Sequence, residues 1–500
     1  MNVVNLISDT GKPISIFDEI IASGAMKDIY VSTDKTYVVG FFRDAPDAAL
    51  KERLQEITTR YRSNLFDKDG GDFWKDYFCW PVDTVQHGGR IGVVVPFYES
   101  HFFFEFGSKN SDMLNIRGKD KEGKWFASAS NREKFLDPRE KGNWLTHVQI
   151  CLAISRAVRR LHMAGLAHSD LSYKNVLVDP TRGKACLIDI DGLVVPGKFP
   201  PDVSGTPDFI APEVIATQSL SKDDKSRILP SRTTDRHALA VLIYMYLFFR
   251  HPLRGRKVFD ADPTRDEELG MGEQAVFVEH PIDASNRVRA DDLRPEALPW
   301  GDPAKRPYDM AGPLLKELFD RAFIEGLHAP NKRPSPAEWE NALVRTLDLV
   351  QPCSASCDTG WFVFDNSCAP VCPHCGTPYR GKLPVLNLYS SRTKGSFQPD
   401  NHRIMVWDGQ SLFAWHVNRE VFPNEHLDEA SKKRVGYFQL HEGDWYLVNE
   451  GMPGMKNVST GAEIAIDERV MLEEGTQILL SPDESGRLIQ VQLAGLDGSS

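Results

Sequence analysis

HSDLSYKN, at positions 168–175, is followed by LIDIDG at positions 187–192. The two stretches hold Asp170, Asn175 five residues later, and Asp189 fourteen residues after that. Phosphoryl transfer from ATP needs such a set, because one carboxylate orients the acceptor hydroxyl while an amide and a second carboxylate hold the magnesium ions. Short apolar runs flank both stretches and indicate buried strands that would fix the loops. Aspartate and asparagine also favour ordinary turns, so further motifs are needed to decide between these interpretations.

Both stretches resemble loops of protein kinases, namely the catalytic loop and the metal-binding loop. The resemblance implies that Asp170 is the catalytic base and that Asn175 and Asp189 are the ligands of Mg²⁺. A third stretch, SGTPDFIAPE at 204–213, resembles the peptide-binding segment of serine/threonine protein kinases. Small-molecule kinases do not usually carry this segment, so it is the most specific signal in the chain.

The resemblance also implies three supporting contacts. Thr206 would line the acceptor site, and Asp235 would brace the catalytic loop from beneath. Glu213 would form a structural ion pair with Arg333. Because all of these motifs occur in the expected order along the chain, they predict a protein kinase fold.

The first predicted strands depart from the kinase pattern at the phosphate-binding residues. Strand 37–42 is similar to the kinase strand that carries a lysine, but Phe41 occupies the lysine's place. The preceding glycine loop contains Gly24 and has Lys27 where its last glycine is expected. This double departure resembles the with-no-lysine kinases, and it implies that Lys27 binds the phosphates of ATP from above through its long stem. The alternatives are a solvated Lys27 with Arg43 reaching in, or a degenerate, non-catalytic site.

Two further nucleotide-site residues follow from their order along the chain. Positions 46–66 have apolar residues at helical spacing and predict a helix, on which kinases carry a glutamate that pairs with the lysine. Glu56 is expected to be that glutamate. The alternatives are Glu52, one turn earlier, or that both are solvated charges on the helix face. Phe97 follows the hairpin predicted at 82–95. The resemblance implies that it lies at the hinge and contacts the adenine, and a packed core residue is the alternative. The polar segment 100–142 is predicted to be an insertion over the surface.

The activation segment departs from the kinase pattern as well. Ser169 replaces the arginine that commonly receives an activation-loop phosphate. The loop from 192 to 207 is rich in proline and offers only Ser204 and Thr206 as acceptors. We therefore expect the loop to be ordered without phosphorylation.

Two charged residues beside the magnesium ligands are unusual. Lys174, next to Asn175, is placed similarly to the basic residue with which tyrosine kinases meet the transferred phosphate, so the acceptor type stays open. Asp191 stands where a glycine normally follows, and it would be either an aid to the metal ligands or a solvated turn residue.

A cysteine-rich segment predicts a structural Zn²⁺ site. CPHCG at 372–376 is a strong zinc knuckle signal, and an aromatic hairpin separates it from a first pair of cysteines. The four expected ligands are Cys353, Cys357, Cys372 and Cys375. Cys368 is a fifth candidate that would displace Cys353 or Cys357, and free buried thiols are the alternative. Metal removal is expected to unfold this segment and to spare the kinase domain.

The remainder of the chain predicts strands separated by polar turns. The predicted strands include 385–389, 412–415, 445–448 and 488–491. Their order is similar to a forkhead-associated sandwich. Such domains bind phosphothreonine through an arginine, a serine and an asparagine, a set that has no clear match here, so a docking module for a partner protein is expected.

Bulk properties exclude several classes of protein. A net charge of −11 argues against a general nucleic-acid binder. The longest apolar run, 238–249, is too short to span a bilayer and predicts a buried helix. The first ten residues lack the pattern of a leader peptide, and the other three cysteines lie scattered in apolar contexts as packed thiols. A cytoplasmic protein without a membrane segment is therefore expected.

The predicted fold class is α+β and multidomain. A bilobal kinase fold would occupy 1–349, with an N-lobe at 1–98 and a C-lobe at 99–349, followed by a zinc ribbon at 350–382 and an all-β, forkhead-associated-like sandwich at 383–500.

This order is similar to bacterial serine/threonine kinases encoded with tellurite-resistance and stress operons, which implies a von Willebrand A-type protein and a PP2C-type phosphatase as partners. The predicted function is transfer of the ATP γ-phosphate to serine or threonine of a protein. The rivals are a pseudokinase scaffold that assembles those partners, and transfer to a small molecule.

Overall fold

The computed structural model describes residues 2–24, 26–68, 70–195, 198–199, 205–221, 224–298, 301–354, 356–365, 370–393 and 395–495. The chain divides into two compact units. The first consists of Met1–Gly142, Thr146–Pro303 and Glu317–Glu340, and the second of Asn143–Leu145, Ala304–Lys316 and Asn341–Ser500. The domain boundaries expected from the sequence remain a prediction.

A six-stranded antiparallel sheet opens the first unit, in the order β1-β2-β3-β4-β6-β5. Its strands are β1 Val3–Ile7, β2 Pro13–Ser23, β3 Lys27–Ser32, β4 Tyr37–Phe42, β5 Asp83–His87 and β6 Arg90–Pro96. The hairpin predicted at 82–95 is confirmed, because β5 pairs with β6. Strand β3 pairs with β4 in the same antiparallel manner. Gly88 and Gly89 both have positive φ, as the tight turn between β5 and β6 requires.

The predicted helix between β4 and β5 is also present. It comprises α1 Ala48–Glu56, a π-helical turn Ile57–Tyr61 and α2 Arg62–Phe66, and a short helix α3 Gly71–Trp74 follows. The Asp47 side chain caps α1 by accepting a hydrogen bond from the Leu50 N–H at 2.7 Å. Leu54 then packs against Phe42 of β4 and against β6, which fixes the helix on one face of the sheet.

The rest of the first unit is mainly helical. It contains a two-stranded ribbon, β7 Val176–Asp179 and β8 Lys184–Leu187. The helices that follow α3 along the chain, up to residue 347, are α4 Lys109–Asp112, α5 Ala129–Lys134, α6 Trp144–Met163, α7 Pro212–Thr217, α8 Arg232–Phe248, α9 Pro263–Met271, α10 Gly312–Asp320 and α11 Pro336–Leu347. The start of α6, the first five residues of α10 and the end of α11 fall in the second unit. Short 3-10 turns lie at Ser100–Phe102, Gly123–Trp125, Pro138–Glu140, Ile190–Gly192, Ala284–Asn286, Ala290–Asp292, Pro295–Ala297, Tyr308–Ala311 and Pro330–Lys332, and a π-helical turn at Arg321–Glu325.

Helix α8 is the buried helix that the apolar run predicts. Its N-terminus is closed by a capping box, in which Ser231 Oγ accepts from the Thr233 N–H and Thr234 Oγ1 accepts from the Ser231 N–H. Residues 237–248 are all buried. Among the residues that the structure describes, the helices lack the combination of length and apolar character that crossing a membrane requires.

Segment 100–142 is not a surface insertion, contrary to the sequence prediction. Phe126 is fully buried, and Lys121, in the most polar run, is only 4% exposed. Lys121 Nζ lies 3.1 Å from Glu140 Oε2 and 3.8 Å from Asp179 Oδ1. The charge pattern was misleading because paired charges can be buried, whereas isolated ones cannot.

Two antiparallel sheets make up most of the second unit, in the orders β12-β11-β19-β18-β16 and β13-β14-β15-β17. A small hairpin, β9 Val350–Pro352 with β10 Trp361–Val363, precedes them. The other elements are β11 Leu383–Thr393, β12 Ser396–Met405, β13 Ser411–Phe413, α12 Ala414–Val417, β14 Arg434–His441, β15 Asp444–Asn449, β16 Lys456–Asn457, β17 Arg469–Met471, β18 Gln477–Leu479 and β19 Arg487–Ala494.

The two sheets contribute to one apolar cluster. Leu386 and Ile489 come from the first sheet, while Phe438 and Leu447 come from the second. Shared burial of this kind is what a sandwich requires. The likeness to a forkhead-associated domain stays a prediction.

Candidate active site and metal centre

The catalytic loop between α6 and β7 is fixed from beneath by a buried carboxylate. Asp235, in the first turn of α8, accepts hydrogen bonds from the backbone N–H groups of His168 at 2.8 Å and Ser169 at 3.1 Å. Its Oδ2 also lies 3.0 Å from Nε2 of His162. Ser169 has φ of +68°, an unfavourable conformation that these contacts help to hold. The bracing contact expected of Asp235 is therefore present.

Two neighbours orient the carboxylate of Asp170. The Asn175 amide donates to Asp170 Oδ2 at 3.0 Å and to the Asp170 carbonyl at 2.8 Å. From the activation segment, Thr206 donates to Asp170 Oδ1 through its backbone N–H at 2.6 Å and its hydroxyl at 2.8 Å. The structure thus brings together the expected base, one expected metal ligand and the threonine expected at the acceptor site.

The metal-binding loop lies directly against this group. The Ile188 N–H donates to the Asn175 carbonyl at 3.1 Å, and the His168 Nε2 lies 3.0 Å from the Ile188 carbonyl oxygen. Asp189 follows in the left-handed conformation, with φ of +61°. Strain at a residue of this kind is typical of a functional site.

Lys27 reaches from strand β3 to the metal-binding loop. Its ammonium donates to Asp189 Oδ1 at 2.8 Å and to Asp191 Oδ1 and Oδ2 at 2.9 and 2.7 Å. Burial disfavours the charged amine, but Asp191 and then Asp189 outweigh this effect and raise the pKa of Lys27. Burial likewise opposes ionisation of Asp189, and Lys27 overcomes it, so the pKa of that carboxyl is lowered. Lys27 and Asp189 are therefore both charged at neutral pH.

The strand register corrects the position assigned to the missing lysine. Lys27 pairs with Phe42, and Asp28 pairs with Phe41. Directly paired residues share a face of the sheet and successive residues alternate, so Phe42, not Phe41, lies on the same face as Lys27. The Phe42 ring centroid is 5.4 Å from the Lys27 ammonium. The period-two alternation of strands was the signal that could have identified Phe42 from the sequence.

Arg43 does not take the place of Lys27, although the sequence left that alternative open. Arg43 Nε donates to Asp28 Oδ1 at 3.1 Å, and Arg90 Nη1 donates to Asp28 Oδ2 at 3.2 Å. Because Asp28 follows Lys27 in the same strand, this cluster lies on the opposite face of the sheet.

The predicted pairing of Glu56 with Lys27 is not formed. Lys198 of the activation segment lies between Glu52 and Glu56 of helix α1, with its Nζ 3.1 Å from one carboxylate oxygen of each. The hydrogen bond from Lys198 is the main cause of a lowered pKa at Glu56. No local pattern indicates this contact, because Lys198 is 142 residues from Glu56 along the chain.

Three other candidates lie at the margins of the described site. The Gly24 N–H donates to the Lys27 carbonyl at 2.9 Å and closes the turn before β3. Phe97 stacks on Phe103, with 5.5 Å between ring centroids, and Lys174 is exposed beside Asn175. Their roles toward a nucleotide remain predictions.

The peptide-binding segment is anchored by its expected ion pair. Arg333 donates to Glu213 Oε1 at 2.8 Å and to Glu213 Oε2 at 2.7 Å. The guanidinium is fully buried and also donates to the carbonyls of Gly326, Leu327 and Thr233. A bidentate pair satisfied in this way fixes the orientation of both side chains.

The second unit gathers the four predicted cysteines. Their Sγ atoms all lie within 4.8 Å of one another. The Sγ atoms of Cys353 and Cys375 are 3.5 Å apart, and those of Cys357 and Cys372 are 3.9 Å apart. Such a set of four thiols fits a tetrahedral, structural zinc ion with no open coordination position. Cys368, the fifth candidate, lies outside the described residues.

The turn that carries two of the cysteines is held by its own backbone. The Gly376 N–H donates to the Cys372 carbonyl at 2.9 Å, and Gly376 has φ of +70°. The Cys372 N–H in turn donates to the Thr377 carbonyl at 2.9 Å. The glycine permits the left-handed turn that brings Cys375 back toward Cys372.

Comparisons with known proteins point to one family of domains. The family model of the protein kinase domain matches residues 121–288. A dual serine/threonine and tyrosine protein kinase of Gallus gallus is 27% identical over 202 residues, which cover 37% of this chain and 18% of that protein. Death-associated protein kinase dapk-1 of Caenorhabditis elegans is 35% identical over 103 residues, which cover 20% and 6%.

Among solved structures, the kinase domain of a Toxoplasma gondii specific rhoptry antigen is similar, with a TM-score of 0.40 and 15% identity. That likeness covers 69% of this chain and 86% of the other. The chain spans less than a fifth of the length of the curated relatives it matches.

Proposed function

We propose that this chain, which contains a protein kinase domain, transfers the γ-phosphate of ATP to a hydroxyl group of a protein substrate. One observation carries the proposal. The Lys27 ammonium meets Asp189 on the metal-binding loop, which is hydrogen-bonded to the loop that holds Asp170 and Asn175. Hydrogen bonds thus link a cation, the two proposed magnesium ligands and the proposed base, a combination that phosphoryl transfer requires.

Each residue has a separate task in this proposal. Asp170 accepts the proton of the acceptor hydroxyl, and its orientation by Asn175 and Thr206 keeps the carboxylate aimed at one position. Asn175 and Asp189 would hold Mg²⁺, which neutralises phosphate charge when the nucleotide is bound. Lys27 adds a fixed positive charge at the phosphates and thereby stabilises the charge that spreads over the transferred group.

The proposed acceptor is serine or threonine. The segment that ends at Glu213 supports a peptide acceptor, because its ion pair with Arg333 holds the segment beside Asp170. The Gallus gallus relative is named as acting on both serine/threonine and tyrosine. Tyrosine transfer is therefore an outcome that the assay must detect, and Lys174 is the residue that would favour it.

The second unit is proposed to dock partners. Its four cysteines support a zinc ribbon, and its two sheets support a forkhead-associated-like sandwich. A von Willebrand A-type protein and a PP2C-type phosphatase are the proposed partners, in the cytoplasm of a bacterium with a tellurite-resistance or stress operon.

Two observations favour a second candidate, a pseudokinase scaffold. Phe42, which cannot bind phosphate, lies opposite Lys27, and Lys27 already neutralises the carboxylate that would hold magnesium. A scaffold of this kind would bind its partners without transferring phosphate.

The test is phosphate transfer by the purified full chain from radiolabelled ATP with Mg²⁺, to itself and to a peptide library with serine, threonine or tyrosine acceptors. Asp170→Asn is expected to lower the rate about 100-fold or more, because general-base catalysis typically contributes that much. Asp28→Asn, on the opposite face of β3, is the matched control. Equal activity of the wild type and Asp170→Asn would rule out the proposed mechanism.

A further inference from the structure

Asp191 is bound to Lys27 more closely than Asp189 is. Both of its carboxylate oxygens accept from the Lys27 ammonium, at 2.9 and 2.7 Å, whereas Asp189 uses one oxygen at 2.8 Å. The Asp191 side chain is 6% exposed and that of Asp189 is 48% exposed. Asp189 therefore has a second carboxylate oxygen and enough exposure to bind a cation, whereas both oxygens of Asp191 bind the Lys27 ammonium.

The aliphatic part of the Lys27 side chain packs on the sheet before it reaches the two carboxylates. The Lys27 side chain lies over Gly40. A Cβ added at Gly40 would lie 3.5 Å from Lys27 Cδ and only 3.1 Å from Ile29 Cδ1. The end of the stem passes the Phe42 ring, 5.4 Å from its centroid. A lysine that lies on an apolar surface in this way needs a fixed counter-charge at its tip.

Other nearby carboxylates have different partners. Asp28 binds Arg43 and Arg90 on the opposite face of the sheet, and Glu56 binds Lys198. Within the described part of the chain, the ion pairs of Lys27 are those with Asp189 and Asp191.

We propose that Asp191 is a positioning residue that holds the Lys27 ammonium at the phosphate site and keeps it there when Asp189 turns to Mg²⁺. The inference rests on the proposed function and specifies how its cation is held. An ammonium has three donors, and in this structure all of them point to the two carboxylates. With MgATP bound, Lys27 would keep its hydrogen bonds to Asp191, and the donor that now binds Asp189 would be available to a phosphate oxygen.

A consequence is that Lys27 depends on the metal-binding loop and not on helix α1. The acidic residues of α1 are held by Lys198 of the activation segment, so the two ion-pair groups share no residue. Movement of α1 would therefore leave the cation in place, whereas movement of the loop at Asp191 would displace it.

The test is a double-mutant cycle on the full chain, read out as the Kd of MgATP by calorimetry and as KM and kcat for ATP. Asp191→Asn and Lys27→Met are each expected to raise Kd and KM about tenfold, a size typical of coupled residues in contact. The double variant is expected to be no weaker than Lys27→Met alone. Asp28→Asn is the control for loss of a neighbouring charge, and Asp191→Glu should restore part of the affinity.

Three outcomes would overturn the inference. These are a wild-type Kd in Asp191→Asn, additive effects in the double variant, or full recovery of Asp191→Asn at high Mg²⁺, which would make Asp191 a metal ligand instead. A wild type that binds MgATP but transfers no phosphate would refute the proposed function alone, because the binding cycle would still give its own answer.

Discussion

Loss of a single thiolate is expected to weaken metal binding by the second unit. Cys357 is buried beside Cys372, with 3.9 Å between the two sulfur atoms. A structural zinc ion contributes roughly 10 kcal/mol or more to the folding of a small domain. Divided among four ligands, this is about 2.5 kcal/mol for each, so Cys357→Ser should weaken zinc binding about 50- to 100-fold.

The same change should loosen the strand that packs on the metal centre. Cys357 and Cys372 belong to an apolar cluster that also contains Phe362 of β10 and Leu383 and Val385 of β11. Because these side chains pack on the ligands themselves, loss of the ion removes order from the beginning of β11 as well as from the hairpin β9–β10. The predicted unfolding on metal removal is thus expected to reach past residue 382.

Zinc content by elemental analysis, zinc release to a competing chelator, and amide hydrogen exchange along β11 would measure these effects. Cys186→Ser is the matched control, since Cys186 is equally buried but belongs to the first unit. MgATP affinity should stay unchanged in Cys357→Ser, because Lys27 and Asp189 also belong to the first unit. A wild type purified without zinc from zinc-replete medium, or unchanged exchange along β11 after complete metal removal, would refute the reasoning.

Three other changes test buried polar groups of the first unit. Asp235→Asn turns an amide donor toward the backbone N–H groups of the catalytic loop, so it should lower the free energy of unfolding by about 2–3 kcal/mol and lower kcat. Denaturant unfolding and steady-state kinetics measure these two quantities, and unchanged values would contradict the bracing role. Glu213→Gln leaves Arg333 buried without its counter-ion and should cost about 3–5 kcal/mol in denaturant unfolding; a loss below 1 kcal/mol would argue against it. Burial lowers the pKa of the His251 imidazole to about 4. The unfolded chain therefore binds this proton more tightly than the folded chain does. The free energy of unfolding should consequently fall by on the order of 3 kcal/mol between about pH 6.5 and pH 4. His251→Gln should flatten that pH dependence in thermal melts, and an unchanged slope would count against a neutral, buried imidazole.

The residues of the catalytic loop could be predicted from the sequence because they are close along the chain. Asp170 and Asn175 are five positions apart on one loop, so their spacing nearly determines their contact. The contact between Glu213 and Arg333 spans 120 positions and came from the resemblance alone.

The face of strands β3 and β4 that carries Lys27 was harder to predict, because successive side chains of a strand point to opposite faces of the sheet. The prediction was one position off: it assigned the place of the missing lysine to Phe41, which lies on the opposite face from Lys27, instead of to Phe42. The partner of Glu56 was missed for a different reason, since competition between Lys27 and Lys198 for a carboxylate depends on distances that no local pattern contains.

Hydrogen bonding at Asp170 has a consequence for the acceptor. A carboxylate offers about four lone-pair positions. Among the described residues, the Asn175 amide and the two donors of Thr206 occupy three of them. Under the proposed function, one position is left for an incoming hydroxyl, and the direction of that position would determine which side chain of a bound protein reacts.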